Sequence, residues 1–94
     1  MILFSSDALS DVERVRDFLG ARNPDAAKRA MATIWQSLEN LELFPNLGRP
    51  TEDQDIRQIT VPFGGSGYIV RYSVFPEDGS LLILRIWHGR EARK

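Results

Sequence analysis

The chain divides by the period of its apolar residues. Residues 2–5, ILFS, form a short apolar run that predicts a strand, and Ser5 or Ser6 followed by Asp7 is a plausible helix start. Ala8, Val12, Val15 and Leu19 then recur at helical spacing, with Asp11, Glu13, Arg14 and Asp17 between them, which predicts an amphipathic helix ended by Gly20 and an ARNP turn. Asn23 suits an N-cap and Pro24 a first helical position, and Ala27, Ala30, Met31, Ile34, Leu38 and Leu41 mark a second, longer face. Two antiparallel helices joined by a tight turn follow from this pattern.

Pro45 and Pro50, in FPNLGRP, break helical geometry, and beyond them the pattern changes. IRQITVPF, GYIVRYSVF and LLILRIWH are rich in β-branched, aromatic and aliphatic residues, and GGS and PEDGS between them are turn compositions. The expected fold is α+β: an N-terminal strand, then an antiparallel helical hairpin packed on a mostly antiparallel sheet with a C-terminal three-stranded meander. Residues 1–94 read as a single domain.

Composition narrows the setting. With 43% hydrophobic and 27% charged residues the chain should fold rather than stay disordered. No cysteine means no disulfide framework, which suits a cytoplasmic protein, and neither a signal peptide nor a membrane-length apolar run is evident. The net charge of −1 disfavours a protein that grips nucleic acid through phosphates, so direct sequence-specific nucleic-acid binding is not expected. Local charge differs, because beyond Leu81 the cations Arg85, Arg90, Arg93 and Lys94 face only Glu91.

Candidate chemistry gathers near that end. A symmetrical PEDGS connection would pair Phe75 with Leu81, Ser73 with Ile83 and Arg71 with Arg85, setting two like charges opposite each other. Such a pair needs solvent, an anionic partner or a carboxylate, with Glu52, Asp53 and Asp55 as candidates. His88, beside Trp87 and two residues before Arg90, has the residue type for acid–base work next to a phosphate-binding guanidinium; as a lone strand-end histidine it equally suits a hydrogen-bond network or a partner contact. One histidine and no cysteine give no basis for a metal site, and no cofactor is expected. GGSG at residues 64–67 precedes a strand rather than a helix and reads as a hairpin turn, not a phosphate loop. Trp35 reads as core or helix packing rather than a binding platform, while Phe44 and Leu47 suit either core plugs or partner contacts.

Three stretches taken together, NPDAAKRAMATIWQSLENLELFPNLGRP, IRQITV with GYIVRYSV, and LLILRIWHGRE, resemble the RelE/ParE superfamily of toxins from bacterial type II toxin-antitoxin modules, over nearly the whole chain. The resemblance implies the same fold and a cognate, ParD-like antitoxin whose acidic segment folds on binding. Within the superfamily one branch, RelE-like, implies ribosome-dependent mRNA cleavage; the other, ParE-like, implies inhibition of DNA gyrase by binding, with replication block, growth arrest and a part in plasmid or chromosomal stability.

The residues lean toward the second branch. Ile69 stands where RelE-like members often carry arginine, Gln58, Ile59 and Thr60 stand in place of their lysines, and no tyrosine follows Arg90. The P-D-A-A-x-R helix and the L-G-R-P loop look more like ParE. On that reading Arg57, Arg71, Arg85, Trp87, His88 and Arg90 are the candidate target- or antitoxin-binding residues. A RelE-like nuclease would instead use Arg71 and Arg85 to stabilise the phosphate, Arg90 to orient it and His88 as general acid or base.

Overall fold

The computed structural model describes residues 1–89; Arg90, assigned above to both candidate sites, lies outside the described residues. The element order is β1 (Ile2–Phe4), α1 (Ser6–Arg22), α2 (Pro24–Leu43), β2 (Arg49–Pro50), β3 (Arg57–Phe63), β4 (Ser66–Val74) and β5 (Leu81–His88). Both helices lie on one face of a five-stranded sheet of order β1-β5-β4-β3-β2. All neighbouring strands are antiparallel except β1 and β5, which run parallel. The α+β expectation holds, with β2 as an edge strand too short for periodicity to reveal. No described helix is long and apolar enough to cross a membrane.

Asn23 organises the helical hairpin. Its backbone N–H closes α1 by donating to the Leu19 carbonyl, while its side-chain Oδ1 accepts from Ala26 N–H at the start of α2. One residue thus satisfies orphan groups of two helices. Helix α1 runs to Arg22, through Gly20, because one glycine costs only about 1 kcal/mol in a helix and the nearest firm stop is Pro24. Ser5 is the N-cap of α1, its Oγ accepting from Ala8 N–H.

The predicted helical faces form the core. Ala8, Val15, Ala30, Ile34, Leu38 and Leu41 pack on Val61, Tyr68, Val70, Tyr72, Leu81, Ile83 and Ile86 of the sheet. Trp35 does pack, stacking on Phe4 of β1 with ring centroids 6.4 Å apart, yet remains 47% exposed. Gly64 and Gly65 make a two-residue hairpin between Phe63 and Ser66, Gly64 taking the positive φ of 61° that favours glycine.

The FPNLGRP loop is pinned to the sheet by a buried hydroxyl. Tyr72 Oη donates to the Pro45 carbonyl at 2.7 Å and accepts the Gly48 N–H at 2.9 Å, and Arg57 Nη1 donates to the Gly48 carbonyl. Burial raises the Tyr72 pKa, against the opposing pull of the Gly48 hydrogen bond and the nearby Arg57 charge, so the phenol stays protonated and keeps its donor. A Cβ on Gly48 would fall 2.5 Å from the Tyr72 oxygen. Phe44 and Leu47, left open between core and partner roles, are 61% and 62% exposed and are therefore not core plugs.

Tyr72→Phe removes partners from two loop groups and is expected to cost about 1–3 kcal/mol. Gly48→Ala, which drives a methyl into the same ring, is expected to cost at least as much. Urea unfolding checks both, through midpoints that fall while the slope is unchanged; unshifted midpoints would contradict the pinning.

Candidate interaction site on strand β5

Strand β5 is inserted between β1 and β4, but β1 flanks only Leu81–Ile83, so RIWH is paired with β4 alone. Below the turn the register is one residue from the symmetrical expectation: Val74 pairs with Leu81 and Tyr72 with Ile83. Leu84 is then an extra residue on β5, and beyond this bulge Arg71 does pair with Arg85, followed by Val70 with Ile86, Ile69 with Trp87 and Tyr68 with His88. The expected juxtaposition of like charges is present, and it is reached through the bulge.

The two cations diverge across the sheet. Arg71 Nε donates to Gln58 Oε1 on β3 at 3.0 Å, and its guanidinium carbon lies 5.2 Å from the centroid of the Trp87 ring. Arg85 turns the other way, donating from Nε to Asp11 Oδ2 at 2.8 Å and from Nη2 to Asp11 Oδ1 at 3.2 Å. A transverse row results, Gln58–Arg71–Arg85–Asp11, running from β3 to α1. The neutralising carboxylate is therefore Asp11, in place of the expected Glu52, Asp53 or Asp55.

Asp11 is 3% exposed and does more than pair Arg85. Its Oδ2 also accepts the Ile86 N–H at 2.8 Å, its Oδ1 accepts from Arg14 Nη1 at 2.6 Å, and Arg14 Nη2 donates to the Ile86 carbonyl at 3.2 Å. Strand β1 ends at Phe4, and past it β5 would present an unpaired edge. Ser5 covers the Ile83 and Leu84 carbonyls, and the Asp11–Arg14 pair covers both backbone groups of Ile86, so α1 side chains replace the missing strand. Burial pushes the Asp11 pKa up, but the hydrogen bonds from Arg85, Ile86 and Arg14 and the Arg85 charge outweigh it, leaving the carboxyl below its ordinary 3.8.

Strand alternation divides the remaining candidates between two faces. Arg71, Arg85 and Trp87 belong to the face away from the helices. His88 follows Trp87 and so belongs to the helix-bearing face, where its ring meets core Tyr68 edge-on at 5.4 Å beside a cleft of about 270 Å³ lined by Leu19, Phe63 and Ser66 among others. Arg57, paired with Tyr72, is on the helix-bearing face too, near the loop end of β3 and distant along the sheet from His88. The structure brings together Arg71, Arg85 and Trp87 and separates Arg57 and His88 from them.

Asp11 was placed above among the polar residues of α1, although it stands three residues after Ala8 and four before Val15, on the apolar stripe itself. A carboxylate on a buried stripe three residues before an arginine was the available signal. Among the described residues no group of three or more histidine, cysteine, aspartate or glutamate side chains could hold a metal ion.

Asp11→Ala is expected to cost about 3 kcal/mol, because it strands buried Ile86 N–H and the Arg85 charge together, whereas Arg14→Ala, at a half-exposed side chain, is expected to cost under about 1 kcal/mol. Since the folded pKa of Asp11 is lowered, its contribution is full above the ordinary 3.8 and fades as pH falls through the folded value. The stability gap between wild type and Asp11→Asn should therefore narrow below about pH 4; a gap that widens on acidification in denaturant titrations would contradict this assignment.

The comparisons with known proteins agree with this architecture. The family model described as the ParE toxin of type II toxin-antitoxin system, parDE, matches residues 2–93. Toxin RelE1 of Caulobacter vibrioides is 36% identical over 92 residues, covering 98% of this chain and 96% of that protein, and Toxin RelE3 of the same organism is 37% identical over 86 residues, covering 92% and 90%. Among solved structures, the chromosomal ParDE toxin-antitoxin system from P. aeruginosa superimposes with a TM-score of 0.74 at 21% identity, covering 93% of this chain and 92% of that one. The intact E. coli RelBE toxin-antitoxin complex gives 0.65 at 18% identity, covering 99% and 98%. The chain belongs to the ParE toxin family of type II toxin-antitoxin systems, within the RelE/ParE superfamily.

Proposed function

We propose that this toxin arrests growth by binding DNA gyrase rather than by cutting RNA, and that a cognate antitoxin neutralises it in the cytoplasm. The observation that carries the reading is the division of β5 between faces. A general acid or base has to come within about 3 Å of the atom it serves, directly or through one water. His88 stands with Tyr68 on the helix-bearing side, whereas Arg71 and Arg85, which would bind the phosphate, stand on the other. Arg85 is further engaged by a buried carboxylate, as suits a fixed recognition element. Trp87 itself is only 6% exposed, so it is the guanidinium of Arg71 above its ring, with Arg85 alongside, that is presented as chemistry for gripping a protein surface, where arginine is among the residues that dominate binding energy.

A second reading has its own support. The curated relatives carry the name RelE, which favours ribosome-dependent mRNA cleavage, with His88 as general acid or base and Arg71, Arg85 and Arg90 on the phosphate.

Two assays on one preparation separate the readings: inhibition of gyrase supercoiling and cleavage of mRNA on translating ribosomes. Inhibited supercoiling with intact mRNA is expected, and His88→Gln should retain that inhibition within a few-fold. Cut mRNA with unaffected gyrase, and a loss of about 10²–10⁴ in cleavage on His88→Gln, would establish the nuclease instead.

A further inference from the structure

The two outer borders of the sheet are built differently. At one end, β2 consists of Arg49 and Pro50, and Pro62 lies on the outer side of β3, so charge and proline blunt that border against further pairing. At the other end β1 has a neighbour on one side only, and Met1–Ser5 contain neither a proline nor a charged side chain.

The direction of the backbone groups on β1 is fixed by its bonds to β5. The Met1 carbonyl accepts from Leu81 N–H, and Ser5 N–H donates to the Ile83 carbonyl. Odd-numbered residues therefore face β5, and Ile2 and Phe4 direct their N–H and C=O to the open side. This spacing is complementary to itself. A second β1 laid antiparallel, with Leu3 opposite Leu3 of the copy, sets Ile2 against Phe4 and Phe4 against Ile2, and each of these pairs exchanges both N–H···O bonds.

The side chains around the edge suit the same partner. Leu3, 41% exposed, lies on the face away from the helices, beside Met1 and Phe75 in a shallow cleft of about 320 Å³. Phe4 lies on the helix-bearing face under the half-exposed Trp35 ring. An apolar rim thus borders the open edge on both faces, and a copy of β1 brings apolar side chains to each without any like charge.

We propose that two copies of this chain associate through their β1 strands, paired antiparallel about a two-fold axis at Leu3, to make one ten-stranded sheet. The axis of such a pair is normal to the sheet, so both helical hairpins lie on one face and both Arg71–Arg85 pairs on the other. The dimer is closed, because the pairing uses the same edge of each copy, and it presents its basic groups twice on one continuous surface. With only four backbone hydrogen bonds and a few apolar side chains per copy, the interface falls below the roughly 800 Å² per partner of a standard stable complex, so association is weak and concentration-dependent.

Sedimentation of the full toxin over a concentration series up to about 1 mM tests this. A reversible dimer is expected. Leu3→Lys and Leu3→Asp each set like charges across the axis and are expected to raise the dissociation constant about tenfold or more, with urea midpoints unchanged at a concentration where the wild type is monomeric. An equimolar mixture of the two variants sets opposite charges across the axis and should regain the dimer. A wild type that stays monomeric throughout would overturn the proposal, as would a dimer that persists in both variants or a mixture that fails to recover. Weakened antitoxin binding in both Leu3 variants, with a monomeric wild type, would assign the edge to the antitoxin and equally overturn it. None of these readouts involves gyrase or mRNA, so the proposal stands or falls apart from the choice of target.

Discussion

The buried carboxylate of Asp11 is the constraint on which the arrangement of β5 depends. It stands at the point where β1 ends and the sheet would otherwise expose the backbone of β5. Through one side chain it accepts the Ile86 N–H, holds Arg85 bidentately and orients Arg14, which returns to the Ile86 carbonyl. A buried charge is tolerated only when so fully satisfied, and the satisfaction couples helix α1, strand register and the direction of Arg85. The bulge at Leu84 belongs to the same arrangement, because it shifts the register that would otherwise continue from Leu81 to Ile83 and restores the Arg71–Arg85 pairing.

From this clamp follows the division of labour on the sheet. The face bearing the helices is given to the core, with Tyr68, Val70 and Tyr72 buried and His88 packed on Tyr68. The opposite face carries Arg71, Arg85 and Trp87, with Arg71 bonded to Gln58 of β3 and lying over the Trp87 ring while Arg85 reaches round to Asp11 of α1. A second anchoring device, the Tyr72 hydroxyl, fixes the FPNLGRP loop at the far edge of the sheet and holds Leu47 and Arg49 in place. The borders of one small sheet are thus handled differently: β5 is closed by side chains beyond β1, and β1 itself keeps an open edge.

Much of the fold was legible because it rests on periodicity. Asn23 before Pro24, the apolar stripe from Ala27 to Leu41, and the change to β-rich segments after Pro50 report local physics that tertiary structure did not override. What escaped the sequence was long-range. The pairing of Asp11 with Arg85 spans most of the chain, and nothing local distinguishes a buried aspartate from a solvated one except its place on the apolar stripe. The bulge was hidden because hairpin symmetry assumes an equal count of residues on both strands. Strand alternation was legible, and it separated His88 from Trp87 once the strand was known to continue through both; proximity in RIWHGR had suggested a single cluster.

The most direct measurement of the central claim is amide hydrogen exchange at Ile86 in the native protein. The Asp11 clamp requires that this N–H, on an edge with no neighbouring strand, exchange as slowly as core amides such as those of Val70 and Ile83. Slow exchange that becomes fast in Asp11→Ala, while Val70 stays protected, is the expected result. Fast exchange at Ile86 in the wild-type toxin would contradict the clamp and, with it, the fixed placement of Arg85 and His88 on opposite faces.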